Sequence, residues 1–213
     1  MLNPGEPKFR RRKADRPGEI VRAAMDVFAE KGFAAAKLDE IAARAGVSKG
    51  ALYLYFETKE DLFRAVVGQV VAPNIAQVKA LAAAHPGPFS DLVRSLVGHV
   101  VGVVQATSIG GVVKMVIGEA RNFPELARVW HDDLVSQALG ALAAAVEAAQ
   151  ARGEVKPGDP RAYALQLISP LLVGVIWRET FVPIGAAPFD LPALMRQHLD
   201  TVLTGMLAEG ALP

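Results

Sequence analysis

The stretch AKLDEIAARAGVSKGALYLYFETKEDLF, Ala36–Phe63, carries the clearest structural pattern in this chain. It predicts two short helices around a glycine turn, followed by the start of a third helix. Leu38 and Ile41 recur at helical spacing, which indicates a first helix with one apolar face. Gly46 has the position of a left-handed helix stop, and Ser48 has that of the cap of the next helix. These signals together predict a helix-turn-helix unit.

The second short helix is expected to run from Lys49 to Phe56 and to present a smooth outer surface. At about 100° per residue, Leu52 and Phe56 share the inner face and should be buried. The residues expected to point outward are Gly50, Ala51 and Leu54, with Tyr53 and Tyr55 on the two shoulders. A short helix with a nearly uncharged tip suits the DNA major groove, which admits one helix.

The segment GVSKGALYLYFETKEDL, Gly46–Leu62, resembles the recognition-helix signature of the TetR/AcrR family of bacterial transcriptional regulators. A matching LDEIAARA precedes it at Leu38–Ala45, and the resemblance covers about Arg16 to Val66. It implies an N-terminal three-helix DNA-binding domain followed by a larger helical bundle that binds a small molecule and dimerises. The family commonly has Thr before the second helix. Here that residue is Lys37, which can contact a phosphate but cannot cap the helix.

Composition favours an all-α fold, because 52% of the residues are apolar and alternating strand patterns are missing. There is no cysteine, which excludes disulfides, thiolate zinc sites and cysteine nucleophiles. The four histidines are widely separated, so we expect neither a metal site nor a cofactor. The start of the chain lacks the apolar core of a secretory signal, and we expect a cytoplasmic protein.

Positive charge is concentrated at the N-terminus, although the formal net charge is only +1. Residues 1–16 are expected to form a flexible basic arm. Such a run is often merely solvated. Beside a DNA-binding unit, Arg10, Arg11 and Arg12 are expected to contact phosphates or the neighbouring minor groove.

Breaks rich in proline and glycine separate five further helix signals, over 89–107, 108–122, 124–153, 160–181 and 191–210. With three helices in the N-terminal unit and a connecting fourth helix, the chain should contain about nine helices. We expect a basic arm over 1–16, a DNA-binding domain over 17–66, and a ligand-binding and dimerisation domain over 67–213.

The uncharged run Ser95–Val113 is long enough for a membrane span, but polar residues and Gly110–Gly111 interrupt it, so no membrane partner is expected.

The DNA-binding residues follow from the pattern together with the family resemblance. Base edges are assigned to Gly50, Ala51 and Leu54. An exposed leucine can touch a thymine methyl but reads no hydrogen-bond pattern, so recognition is expected to rest partly on DNA shape. Contacts to the DNA backbone are assigned to Lys37, Ser48, Tyr53, Tyr55, Lys59 and the arm. Lys49 is also counted among the DNA-binding residues. Thr58–Asp61 resembles a capping box, and Lys59 beside that helix start suits a phosphate.

The last two long helices are apolar over most of their circumference, so a second chain or a bound ligand must cover them. The family pairs through these helices, and the expected dimer residues are Ile168, Leu172, Val175, Leu194, Met195, His198, Leu199, Val202, Leu203 and Met206. A mostly apolar effector pocket is assigned to Met115, Glu119, Phe123, Trp130, His131, Trp177, Arg178 and Phe181. For each of these, ordinary core packing is the competing interpretation.

The sequence therefore predicts a homodimeric transcriptional regulator, most often a repressor in this family. It should bind a near-palindromic double-stranded DNA operator and lose affinity when a small, largely apolar effector binds. The alternative is a helical small-molecule-binding or interaction protein without sequence-specific DNA binding. An enzyme is not expected, because adjacent Asp132 and Asp133 face different sides of a helix and nucleophile, phosphate-loop and dinucleotide motifs are missing.

Overall fold

A computed structural model describes residues 16–68, 80 and 87–209 of this 213-residue chain. These residues form nine α-helices, in agreement with the predicted all-α fold. The head, residues 16–68, contains α1 (Arg16–Lys31), α2 (Leu38–Arg44), α3 (Lys49–Tyr53) and α4 (Lys59–Val66). The body, residues 87–209, contains α5 (Phe89–Ala106), α6 (Ile109–Glu119), α7 (Pro124–Ala151), α8 (Pro160–Thr180) and α9 (Leu191–Met206).

Local signals set the helix boundaries in the head. Gly32 and Gly46 adopt φ values of +80° and +67°, which end α1 and α2 in the left-handed conformation that glycine accepts without strain. The Ser48 hydroxyl accepts a hydrogen bond from the Ala51 amide, and Thr58 forms a complete capping box with Asp61. The predicted glycine stop and both predicted caps are thus present.

The predicted end of α3 at Phe56 is wrong. The helix ends at Tyr53, and the chain then turns, with the amides of Tyr55 and Phe56 both bonding the Leu52 carbonyl. This tightened last turn still leaves Leu52 and Phe56 on the inner side, where both are buried. The shorter helix therefore keeps the predicted inner face.

The body is bent between α5 and α6, which meet at 87° across Thr107 and Ser108. The run Ser95–Val113 is therefore two helices. The break predicted at Gly110–Gly111 is displaced, because both glycines lie inside α6. By length and composition alone, Pro124–Ala151 and Pro160–Ile184 are apolar enough to cross a membrane, and the bent α5–α6 pair would add a third span.

One continuous hydrophobic core runs through both head and body. Within the head, α1 contributes Ile20, Ala24, Val27 and Phe28, all of them fully buried. Within the body, α8 packs against α6, α7 and α9. Gly174 of α8 allows this close approach, because a Cβ there would lie 2.6 Å from Leu191 of α9. Because the core is continuous from head to body, the head is not a separately packed unit.

The helix α7 contains one π-helical turn, His131–Val135, between two regular α-helical parts. An ion pair between Arg94 and Asp200, 2.6 Å long, joins α5 to α9. The chain after α9 returns to the loop before α8, where the Lys156 amide bonds the Met206 carbonyl. These contacts tie both ends of the body together.

Candidate nucleic-acid interface

The outer surface of α3 is apolar and open, as the sequence predicts. Leu54 is 83% exposed, and Tyr53 and Tyr55 are each 43% exposed. Gly50 is also exposed, and Ala51 is partly buried. A ridge of small and aliphatic groups therefore lies between two phenols. Such a surface can approach base edges closely, and the phenol hydroxyls can donate to phosphates.

The polar atoms at the start of α3 already have partners in the head. The Ser48 hydroxyl caps the helix at 3.2 Å from the Ala51 amide. The Lys49 ammonium pairs with Asp39 of α2 at 2.8 Å and lies 6.0 Å from the centre of the Tyr53 ring. Its hydrogen bond to Asp39 raises the pKa of Lys49 above the ordinary value. The charge nearest the tip is thus partly neutralised by its neighbour.

Lys37 and Lys59 occupy different environments. Lys37 is exposed, has extended backbone angles and makes no capping hydrogen bond to α2, as its side-chain chemistry predicts. The Lys59 ammonium donates to the carbonyls of Phe33 and Ala34 at 2.8 and 3.1 Å and lies 4.8 Å above the Phe33 ring. Two of its three N–H groups are therefore used inside the head. Arg10, Arg11 and Arg12 lie outside the described residues.

Glu119, a residue of the predicted effector pocket, lies at the junction of head and body. Its two carboxylate oxygens accept the amides of Phe33 and Ala34, each at 2.9 Å. Phe123 also lies here, with its ring centre 5.1 Å from that of Phe33. The sequence could not reveal this role, because Glu119 is 86 residues from its partner Phe33.

The other predicted pocket residues lie in several separate places. Met115 is buried in α6, Trp130 packs partly buried against the core, and His131 is exposed beside Asp132 in the π turn. Trp177 donates to the Ala187 carbonyl, and its ring contacts those of Phe181 and Phe189 at tilted angles at the end of α8. Arg178 bonds Glu179 and the Val104 carbonyl at the α5–α6 bend. The predicted set of eight is therefore not a single site.

One buried polar atom in the body was missed by the sequence analysis. The Nε2 atom of His99, on α5, is buried and has no hydrogen-bond partner among the described residues. An unpaired buried nitrogen is unfavourable and calls for an explanation such as a bound ligand. The available sequence signal was a lone histidine inside the uncharged run Ser95–Val113. A separate open pocket of about 670 Å³ lies between the loop at 153–158 and the chain after α9.

The predicted dimer residues divide into two groups. Five are buried within their own chain: Val175, Met195, Leu199, Leu203 and Met206. The other five remain at least partly accessible: Ile168, Leu172, Leu194, His198 and Val202. Leu165 and Val173 of α8 are also exposed. The sequence does not show this division, because both helices are apolar over most of their circumference.

The sequence matches two protein-family models. One, described as "Bacterial regulatory proteins, tetR family", covers residues 20–66. The other, "Tetracyclin repressor-like, C-terminal domain", covers residues 87–191. The chain belongs to the TetR family. The family assignment made from Gly46–Leu62 is thereby confirmed, and this TetR-family protein is a DNA-binding transcriptional regulator.

Two relatives described as HTH-type transcriptional regulators support this family assignment. The HTH-type transcriptional repressor BepR of Brucella suis is 27% identical over 202 residues, which cover 91% of this chain and 93% of that protein. The HTH-type transcriptional activator FasR of Mycolicibacterium smegmatis is 43% identical over 65 residues, only 30% of either chain.

A solved structure shows the same fold. The complex of triclosan with SmeT, a repressor from Stenotrophomonas maltophilia, has a TM-score of 0.76 at 21% identity and covers 93% of this chain and 94% of that one. The interaction-protein alternative, which lacks DNA binding, does not hold for a member of this family. These relatives are bacterial transcriptional regulators, a class that is typically not enzymatic.

Proposed function

We propose that this TetR-family regulator is a cytoplasmic homodimeric repressor of a near-palindromic operator, released by a small, largely apolar effector. The observation that carries the proposal is the open, nearly uncharged tip of α3, in which Leu54 is 83% exposed between two half-exposed phenols. The proposed domains are the arm 1–16, the DNA-binding domain 17–66 and the effector-binding and dimerisation domain 67–213. Repression, rather than activation, is supported by the similarity to BepR along most of both chains.

The proposed DNA contacts follow the exposed groups of the head. Gly50, Ala51 and Leu54 meet base edges, and the hydroxyls of Tyr53 and Tyr55 bind phosphates. Lys37 and the arm add positive charge along the DNA backbone. Ser48, Lys49 and Lys59 flank this surface. Each already makes a hydrogen bond within the head, so each offers the DNA only its remaining O–H or N–H donors.

The proposed dimer uses the accessible stripe of α8 and α9. Leu165, Leu172 and Val173 are 55%, 47% and 65% exposed, and the turn periodicity places the first two on one side of α8. Leu194 and Val202 of α9, the helix that packs against α8, are partly buried. A second copy would cover this apolar stripe in a symmetric contact. The two α3 helices would then face successive major grooves, about 34–36 Å apart or further on a widened site.

The effector is proposed to bind within the body, where His99 offers a buried and unpaired nitrogen. An apolar cavity with one or two polar anchors suits a small hydrophobic molecule. The SmeT structure contains triclosan, which is a compound of this kind. An effector releases the operator if it favours a conformation in which the two α3 helices are wrongly spaced.

Binding to a fluorescent duplex from the protein's own upstream intergenic region tests the proposal. The titration is run at two salt concentrations with unrelated DNA as competitor. We expect salt-sensitive binding that survives the competitor. If that duplex fails, an operator is selected from a random duplex library. Failure of both would contradict specific DNA binding by this protein.

The effector part needs a separate experiment. The operator complex is titrated with triclosan and other small apolar compounds, and release is measured by fluorescence anisotropy. We expect at least one compound to release wild-type protein, and His99→Phe to require more of it while binding the operator normally. Equal release of the wild type and His99→Phe would contradict the role of His99.

A further inference from the structure

The loop between α1 and α2 is held from both sides by charged side chains. From the head, the Lys59 ammonium donates to the carbonyls of Phe33 and Ala34. From the body, the Glu119 carboxylate accepts the amides of the same two residues, at 2.9 Å each. One charged group therefore satisfies the donors of this loop and the other satisfies its acceptors. Hydrogen bonds to ionised groups are stronger than neutral ones.

The backbone at Gly32 is shaped for this contact. Gly32 has φ +80°, and a Cβ at this position would collide with Glu119 Oε1. A side chain there would be strained and would also push the carboxylate away. The Phe33 ring is buried among Phe28, Phe63 and Phe123, so the loop cannot easily shift to another position.

The Glu119 contact is one of three along α6. At the start of α6, the Ser108 hydroxyl donates to Asp26 of α1 at 2.6 Å. Further along, a Cβ on Gly111 would lie 2.5 Å from the Cβ of Ala29, so the two backbones nearly touch. Glu119 is the last residue of α6, at the other end of this contact. Contacts at both ends of one helix restrict rotation of the head against the body.

We propose that Glu119 is a positioning residue that sets the orientation of the head on the body, and through it the operator spacing that the dimer accepts. The inference rests on the proposed homodimer. In a dimer joined through its bodies, each α3 helix is held at a distance from its partner that depends on the angle between head and body. Releasing the Glu119 carboxylate should widen the range of angles, and therefore the range of half-site spacings that bind.

The test uses operators that differ only in the number of central base pairs, from one fewer to two more than the selected operator. Each added base pair turns one half-site by about 35° relative to the other, since a DNA turn has 10–10.5 base pairs. For the wild type, we expect one added base pair to weaken binding by about tenfold or more. This is the change in affinity that corresponds to the free energy of one charge-assisted hydrogen bond. For Glu119→Ala, we expect the same insertion to cost about threefold or less.

Glu119→Gln should fall between the wild type and Glu119→Ala. Its side chain keeps one oxygen acceptor but turns an NH₂ group toward the second backbone amide. Glu125→Gln is the matched control, because Glu125 lies on the body surface, where it forms an ion pair with Arg128. This control should keep the full spacing discrimination of the wild type.

The ratio of affinities separates positioning from general damage. A variant that is partly unfolded binds all operators less tightly by the same factor, so the ratio between spacings stays unchanged. Faster hydrogen exchange at the Phe33 and Ala34 amides in Glu119→Ala would accompany the loss of discrimination. Unchanged spacing discrimination in Glu119→Ala, with the wild type binding its operator specifically, would overturn the inference but leave the proposed function standing.

Discussion

At the scale of single residues, Leu54 is the side chain whose chemistry most directly predicts a DNA preference. It directly follows α3, is 83% exposed and offers only methyl groups. We expect it to contact a thymine methyl group, because apolar side chains read this feature of the major groove. Replacing the contacted thymine by uracil should weaken binding about fourfold. This is the change in affinity that corresponds to the free energy of burying one methyl group. Competition titrations with singly substituted operators measure this effect.

Leu54→Ala provides the control for that prediction. The variant should bind the thymine and uracil operators equally, because it no longer reaches the methyl group. If the variant keeps the full preference for thymine at every position, another residue reads the methyl group.

Lys37 is exposed and makes no capping bond, so we expect it to contact a phosphate. Lys37→Ala should weaken binding to all operators by a similar factor, because phosphates carry no sequence information. The slope of log affinity against log salt should become shallower by about 1. The control is Arg128→Ala, which removes an exposed charge from the body and should leave this slope unchanged. An unchanged slope for Lys37→Ala would show that this lysine does not neutralise a phosphate.

At the scale of elements, the contact of α1 with α6 depends on Gly111. A Cβ there would lie 2.5 Å from Ala29 Cβ and 3.0 Å from its Cα, and the backbone cannot move aside cheaply. We expect Gly111→Ala to destabilise the protein by about 1–3 kcal/mol, as overpacking generally does. Gly118→Ala in the same helix meets nothing within 4 Å, and should stabilise the protein by about 0.5–1 kcal/mol. Urea unfolding measures the stabilities of the two variants, and equal stabilities would be inconsistent with close packing at Gly111.

The start of α5 is anchored by a carboxylate from the loop before α8. Glu154 accepts the Phe89 amide at 2.7 Å and also bonds Arg152. The hydrogen bond from Arg152 holds the pKa of Glu154 below its ordinary value, and the Phe89 amide acts in the same direction. Because the folded pKa is lowered, this stabilisation is present above the ordinary carboxyl pKa and is lost as pH falls through the folded pKa.

Glu154→Gln should therefore cost about 1 kcal/mol at pH 7, which corresponds to about 2–4 °C in Tm. The difference from the wild type should shrink as the pH falls below about 4. Thermal unfolding at pH 7, 5 and 3.5 measures both effects, with the exposed Glu147→Gln on α7 as the control. A difference that grows toward acid would mean that the sign of the Glu154 effect is wrong.

At the scale of the whole molecule, the exposed stripe of α8 is the proposed dimer surface. Leu172 is 47% exposed, and the proposed dimer would bury it. Leu172→Glu should weaken dimerisation by about 100-fold or more, because an unpaired charge would have to leave water. Ile117→Glu introduces the same charge at a 53% exposed position on a different helix, α6, and should leave dimerisation unchanged. Sedimentation velocity over a concentration series distinguishes the two, and a dimeric Leu172→Glu would place the interface elsewhere.

The local architecture of the head follows from the sequence because its signals act within a few residues. Gly46 ends α2, while Ser48 and Thr58 cap the helices that follow them. Helical spacing alone also predicts that Leu52 is buried and Leu54 exposed. The end of α3 was harder to predict, because a tight last turn and one more helical turn place Phe56 on the same side.

The tertiary structure alone decided the roles that depend on distant partners. Glu119 could have been a pocket residue, but it meets two amides about 85 residues away, and Lys59 reaches the carbonyls of the same loop. In α8, Val175 is buried and Leu172 is exposed, although both are aliphatic. A sequence specifies which side chains are apolar or charged, and short-range geometry converts this into helices and caps. Which apolar face meets its own chain, and which charge meets which amide, depends on how the helices pack.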